Sequence, residues 1–132
     1  MAHYNYIIIG AGMTGDAAVK GIRKIDKKGS IALIGAEKEK PYDRPLLSKK
    51  LWQGESFDKI WRHTPEKDLH LYLGRNVTSI EPATKQVTID RSDEISYDKL
   101  ILATGGKSAL FPAQPKVLFI SVRSKITKSC AE

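Results

Sequence analysis

The chain has 132 residues, enough for one domain with its own core, and at 41% hydrophobic and 28% charged it has the composition of an ordinary globular protein. No apolar run approaches the roughly 18 residues of a membrane helix, and the apolar stretch Tyr6 to Ala11 is too short and lacks the basic flank of an export signal, so a cytoplasmic chain is the expectation. The net charge of +7 is concentrated at the end, where Lys107, Lys116, Arg123, Lys125 and Lys128 face only Glu132; a basic end attracts polyanions without any specific fold, but no aromatic-basic interleaving marks a nucleic-acid module.

In chain order, Tyr4 to Ile9 is rich in β-branched and aromatic residues and predicts a buried parallel strand. Gly10-Ala11-Gly12-Met13-Thr14-Gly15 follows. Asp16 to Ile25 predicts a helix with an apolar stripe at Ala18, Ile22 and Ile25, stopped at Lys27-Lys28-Gly29. Ser30 to Ile34 predicts a second strand, closed by Gly35-Ala36-Glu37. Residues 38–68 are polar and punctuated by Pro41, Pro45, Gly54 and Pro65, with a short helix over Leu46 to Trp52 and Ser48 near its start. Leu69 to Leu73 alternates weakly as far as Gly74.

Asn76 to Glu81, Gln86 to Asp90 and Glu94 to Tyr97 predict three strands, joined by turns at Pro82-Ala83-Thr84-Lys85 and Arg91-Ser92-Asp93. These form a small antiparallel β-meander inserted into the βαβ scaffold. Lys99 to Ala103 is a further buried strand, ending in Thr104-Gly105-Gly106. Pro112 and Pro115 bracket a loop, and Val117 to Val122 is a candidate last strand.

The glycine loop carries the chemistry. A lone G-x-G-x-x-G is weak, but here it lies between a buried strand and an amphipathic helix, and a second strand ends in an acid. Gly10 permits the tight turn, Gly12 lets a pyrophosphate approach the backbone, and Gly15 lets helix and strand pack closely. The helix N-terminus offers unpaired N–H groups to phosphate. Glu37 is placed to accept hydrogen bonds from a ribose 2′-hydroxyl and would repel a 2′-phosphate. The ligand is therefore FAD or NAD rather than NADP.

Pro41-Tyr42-Asp43-Arg44-Pro45-Leu46-Leu47-Ser48-Lys49 narrows that choice. It resembles the P-Y-x-R-P-x-L-S-K signature of the FAD-dependent pyridine-nucleotide oxidoreductases, in the branch with ferredoxin and rubredoxin reductases and apoptosis-inducing factor. Leu102-Ala103-Thr104-Gly105-Gly106 is similar to the family's A-T-G-G segment. The resemblance covers residues 4–112 and implies a Rossmann-like α/β domain that binds FAD. It implies that Gly10, Gly12 and Gly15, with the backbone of Met13 and Thr14, face the pyrophosphate, and that Glu37 holds the adenosine ribose. Arg44 would pair with phosphate or the ribityl side, and Lys49 would lie beside the flavin as the one catalytic candidate. Val77 would touch adenine through its backbone, and Ala103, Thr104 and Gly105 would pass close to the cofactor.

The chain also departs from the family. It has no second glycine motif for NAD(P)H, which is expected only in a complete member, and it lacks the returning half of the FAD domain. Residues 1–112 are expected as the N-terminal half of an FAD-binding domain, incomplete relative to the family, and 113–132 as a diverged basic tail; an excised or truncated piece of a reductase and a natural short reading frame both fit, and the loss of resemblance near Pro112 favours a truncated gene. An exposed sheet edge would remain, inviting self-association or a partner chain. The alternative function is a non-catalytic adenine-nucleotide-binding or protein-interaction module. Trp52, Trp61 and Tyr72 are expected to fill core. His3, His63 and His70 have no metal-ligand spacing, and Cys130, the single cysteine, excludes a redox pair within this chain.

Overall fold

The computed structural model describes residues 1–49 and 53–106. The apolar runs on either side of the glycine loop become β1 (Ala2–Ile9) and β2 (Ile31–Gly35), joined by α1 (Met13–Ile25). Every residue of β2 is buried, as expected for a parallel strand covered on both faces. α2 (Arg44–Lys49) and a 3₁₀ turn, Phe57–Ile60, lie in the long connection to β3 (Leu69–Leu73). β4 (Val77–Glu81), β5 (Gln86–Ile89) and β6 (Asp93–Leu102) complete one six-stranded sheet in the order β3-β2-β1-β6-β5-β4. The first four strands in that order run parallel, and β4 and β5 are added antiparallel.

Two cores sit on the two faces. Toward α1, Val19 packs with Ile8, Ile31 and Leu33, all fully buried. On the other face Tyr4, Ile7, Ile9, Ala32 and Ile34 meet Val87, Ile89, Ile95 and Tyr97 of the meander. Burying one such aliphatic side chain stabilises by about 2 kcal/mol, against under about 1 kcal/mol for an exposed ion pair. Burial in these clusters therefore dominates the stability of the sheet. A smaller cluster of Tyr42, Leu47 and Ile60 gives the long connection its own apolar anchor. Trp61 and Tyr72 pack at the edges of these clusters, in the filling role expected of them; Trp52 lies outside the described residues.

The structure corrects several expectations. Glu94 to Tyr97 and Lys99 to Ala103 are not separate strands. They belong to the single strand β6, because Asp98 makes no turn and instead accepts a hydrogen bond from Asn5 of β1. The expected antiparallel meander of β4, β5 and β6 is present, and its last strand is the one that pairs along β1.

The helical stripe also shifts. Ala18 and Ile22 pack against the α1-side core as expected, but Ile25 is 91% exposed, and the fully buried positions of α1 are Gly15, Asp16 and Val19. Six residues at 3.6 per turn place Ile25 about 120° from Val19, off the sheet-facing side. The short helix begins at Arg44 rather than Leu46, since Pro45 has no N–H to lose in a first turn. Ser48 lies near its end, where its hydroxyl donates back to the Pro45 carbonyl at 3.3 Å. The candidate strand Val117 to Val122, the basic tail and Cys130 lie outside the described residues.

Candidate functional site

The glycine loop lies where strand order reverses, at the C-terminal ends of β1, β2 and β6, the usual ligand position in an open α/β sheet. Hydrogen bonds from Gly10 N–H to the Ile34 carbonyl (2.7 Å) and from Ala103 N–H to the Ile9 carbonyl (2.8 Å) hold the three ends together. Gly10 has φ +117°, and a Cβ there would lie 2.0 Å from the Ala103 carbonyl oxygen. A Cβ on Gly15 would lie 2.0 Å from the Gly10 carbonyl oxygen. Both positions exclude any side chain. At Gly12 the reverse holds: nothing lies within 4 Å of an added Cβ. Gly12 caps α1 and, having no side chain, leaves the first-turn amides without a side-chain acceptor from the cap. A cradle of backbone donors with no side chain across it fits a pyrophosphate.

The backbone of Glu37 is fixed from the next connection. Gly74 N–H donates to its carbonyl at 2.8 Å, and Arg75 N–H to that of Gly35 at 3.0 Å. Arg75 in turn pairs with Asp90 and Asp93, anchoring the start of β4, where Val77 lies half-buried. The Glu37 side chain is 26% exposed. It accepts the Tyr42 hydroxyl at 2.8 Å and an N–H of Arg44, whose guanidinium lies 5.9 Å from the Tyr42 ring centroid. Burial and this carboxylate partner push the Tyr42 hydroxyl up to about 12. Glu37 is thus the partner Arg44 takes, one the sequence did not point to.

Of the other expected site residues, Ala103 touches the glycine loop. Thr104 and Gly105 follow it in exposed backbone, Gly105 at φ +68° with open space beside it. Met13 and Thr14 are exposed at the start of α1, and Lys49 is exposed at the end of α2.

One cluster was missed from sequence. Asp16, in the first turn of α1, is completely buried. It accepts Thr64 Oγ1 at 2.7 Å, Arg62 Nε at 2.5 Å and Lys20 Nζ at 2.9 Å. Arg62 also donates to Asp43. Burial alone would raise the Asp16 carboxyl, but the donors from Thr64, Arg62 and Lys20 outweigh it and hold the group below its ordinary value. Lys20 at i+4 is the only part of this cluster with a local sequence signal. Arg62 and Thr64 arrive from 46 and 48 residues away.

A family model described as "Pyridine nucleotide-disulphide oxidoreductase" matches residues 4–128. The 5,5'-dehydrodivanillate O-demethylase ferredoxin reductase subunit of Sphingobium sp. is 36% identical over 111 residues, covering 80% of this chain and 27% of its own length. The biphenyl dioxygenase system ferredoxin–NAD(+) reductase component of Paraburkholderia xenovorans is 35% identical over 107 residues, covering 76% of this chain and 26% of its own. Among solved structures, the reductase of a covalent putidaredoxin reductase–putidaredoxin complex superposes with a TM-score of 0.75 at 31% identity, over 85% of this chain and 28% of that one. The chain therefore spans little more than a quarter of the length of the relatives it matches. Members of the family are FAD-binding reductases that use NAD(P)H.

Proposed function

Because this chain belongs to the pyridine nucleotide-disulphide oxidoreductase family, we propose that it is the FAD-binding portion of an NAD(P)H-dependent flavoprotein oxidoreductase and transfers no hydride by itself. The observation that carries this is the cradle at Gly12: donors at a helix N-terminus, no side chain across them, and two neighbouring glycines that packing requires. Gly10, Gly12 and Gly15, with the Met13 and Thr14 amides, take the pyrophosphate. Glu37 takes the adenosine ribose, with Val77 beside the adenine through its backbone. Ala103, Thr104 and Gly105 give the close backbone approach on the β6 side. Arg44, while paired with Glu37, stays half-exposed and offers its remaining N–H groups to phosphate or to the ribityl side, and Lys49 answers the flavin, where a cation favours negative charge on the reduced ring.

FAD supplies the electron-accepting chemistry, and the chain's residues bind and orient it. Hydride transfer also needs a nicotinamide held against the flavin, and the sequence has one dinucleotide loop. In the whole protein the acceptor is a ferredoxin-type carrier, as the Sphingobium and Paraburkholderia relatives are named for, and its place is the cytoplasm.

A second copy or partner chain is proposed at the outer side of β6. β5 pairs only as far as Ser96, with one further bond from Tyr97 N–H to Lys85. Beyond that, β6 has β1 alone as a neighbour among the described residues, and Leu102 is 64% exposed. Sedimentation of a clean monomer at high concentration removes this part.

The central test is titration of the purified chain with FAD and with AMP, followed by flavin absorbance and thermal shift. Saturable FAD binding that weakens about tenfold in Glu37→Ala is expected, the size of a lost charge-assisted hydrogen bond. Unchanged affinity in that variant overturns the ribose assignment. Binding of AMP without FAD selects a non-catalytic adenine-nucleotide module instead.

A further inference from the structure

Arg62 links two parts of the site that share no sequence neighbourhood. On one side it binds Asp16, whose own N–H donates to the Gly12 carbonyl at 3.0 Å, so that carboxylate is fixed relative to the glycine loop. On the other it binds Asp43. The main chain repeats the link. Arg62 N–H donates to the Pro41 carbonyl at 3.0 Å, and Asp43 N–H to the Ile60 carbonyl at 2.8 Å, around the bridge between Tyr42 and Trp61. The residues flanking Asp43 are Tyr42 and Arg44, the two that hold the Glu37 carboxylate. A chain of directional contacts thus runs from glycine loop to Asp16, Arg62, Asp43 and the Glu37 clamp.

We infer that Arg62 is a positioning residue: through Asp16 and Asp43 it sets the Glu37 carboxylate against the glycine loop, and so governs how strictly the site demands a ribose hydroxyl. The inference rests on the nucleotide site proposed above. A planar fork suits this role, because two carboxylates on different segments are engaged by one rigid group. Plain structural support would make a different prediction. It would weaken every nucleotide alike, whereas a displaced Glu37 weakens only ligands that carry the hydroxyl it reads.

The test is calorimetric titration with ADP and 2′-deoxy-ADP. The wild type is expected to prefer ADP by about tenfold, as one charge-assisted hydrogen bond would give. In Arg62→Gln the preference should fall to roughly twofold or less while affinity for 2′-deoxy-ADP stays within about twofold. Arg62→Lys should not rescue it, since an ammonium carries the charge without the fork. Should Arg62→Gln fail to fold, Asp43→Asn removes only one arm, at a half-exposed residue, and should lower the same ratio. An unchanged ratio, or equal loss for both nucleotides, overturns the role of Arg62. A wild type that binds neither nucleotide, or that shows no preference between them, instead overturns the underlying site.

Discussion

The glycine loop and the connection from Pro41 to Thr64 face the same end of the sheet but are built by opposite means. The loop is made of backbone, and its geometry depends on side chains being absent at Gly10 and Gly15. The connection is made of side chains, with Arg62 and Thr64 donating to Asp16, Tyr42 and Arg44 donating to Glu37, and Arg62 also tied to Asp43. A site made of backbone tolerates no added atom, whereas one made of side chains tolerates no lost charge. The two should therefore fail differently when changed.

The largest effect is expected at Gly10→Ala. A methyl 2.0 Å from a carbonyl oxygen, on a residue at φ +117°, forces the β1–β6 junction apart. A loss of at least about 3 kcal/mol in urea unfolding is expected. A variant of wild-type stability would show that the loop is less tightly built than the connection.

Asp16→Asn comes next. Removing the charge from a buried pair costs roughly 3 kcal/mol, because its cationic partners lose their counter-charge. This loss should also depend on pH. The folded carboxyl lies below its ordinary value, so its contribution is complete above the unfolded value near ~4 and fades as pH falls through the lower folded value. Melting curves of the two proteins should begin to approach one another as pH falls below about 4 and meet only below the lowered folded value; a constant gap would mean that packing rather than charge holds the connection.

Gly12→Ala should disturb folding least. Its backbone is extended, with φ −88° and ψ −165°, and nothing lies within 4 Å of the new methyl. Stability should move by no more than about 0.5 kcal/mol, while FAD affinity falls at least about tenfold because the methyl enters the cradle. Retained FAD binding would shift the cofactor away from this loop.

Legibility in the sequence follows the same division. β1, β2 and the glycine loop were readable because their signals are local: a β-branched run, then glycines, then a helix. The continuous β6 was not, because nothing local distinguishes a strand interrupted at Asp98 from one whose Asp98 is held by Asn5 of a neighbouring strand. Ile25 was misplaced for a related reason. An apolar residue near a helical period has no fixed side until the sheet beneath it is known, and here that sheet selects Gly15 and Val19.

The sequence alone determined the family, the nucleotide loop and the acid at the end of β2, since each is a short run whose chemistry is complete within a few residues. Only the tertiary structure decided the environment of that acid. Glu37 is held by Tyr42 and Arg44, and Asp16 is buried under Arg62 and Thr64. Those contacts join segments up to 48 residues apart. A charged residue read in isolation looks like surface, and whether it finds a partner is settled by the sheet and helix that bring the two segments together.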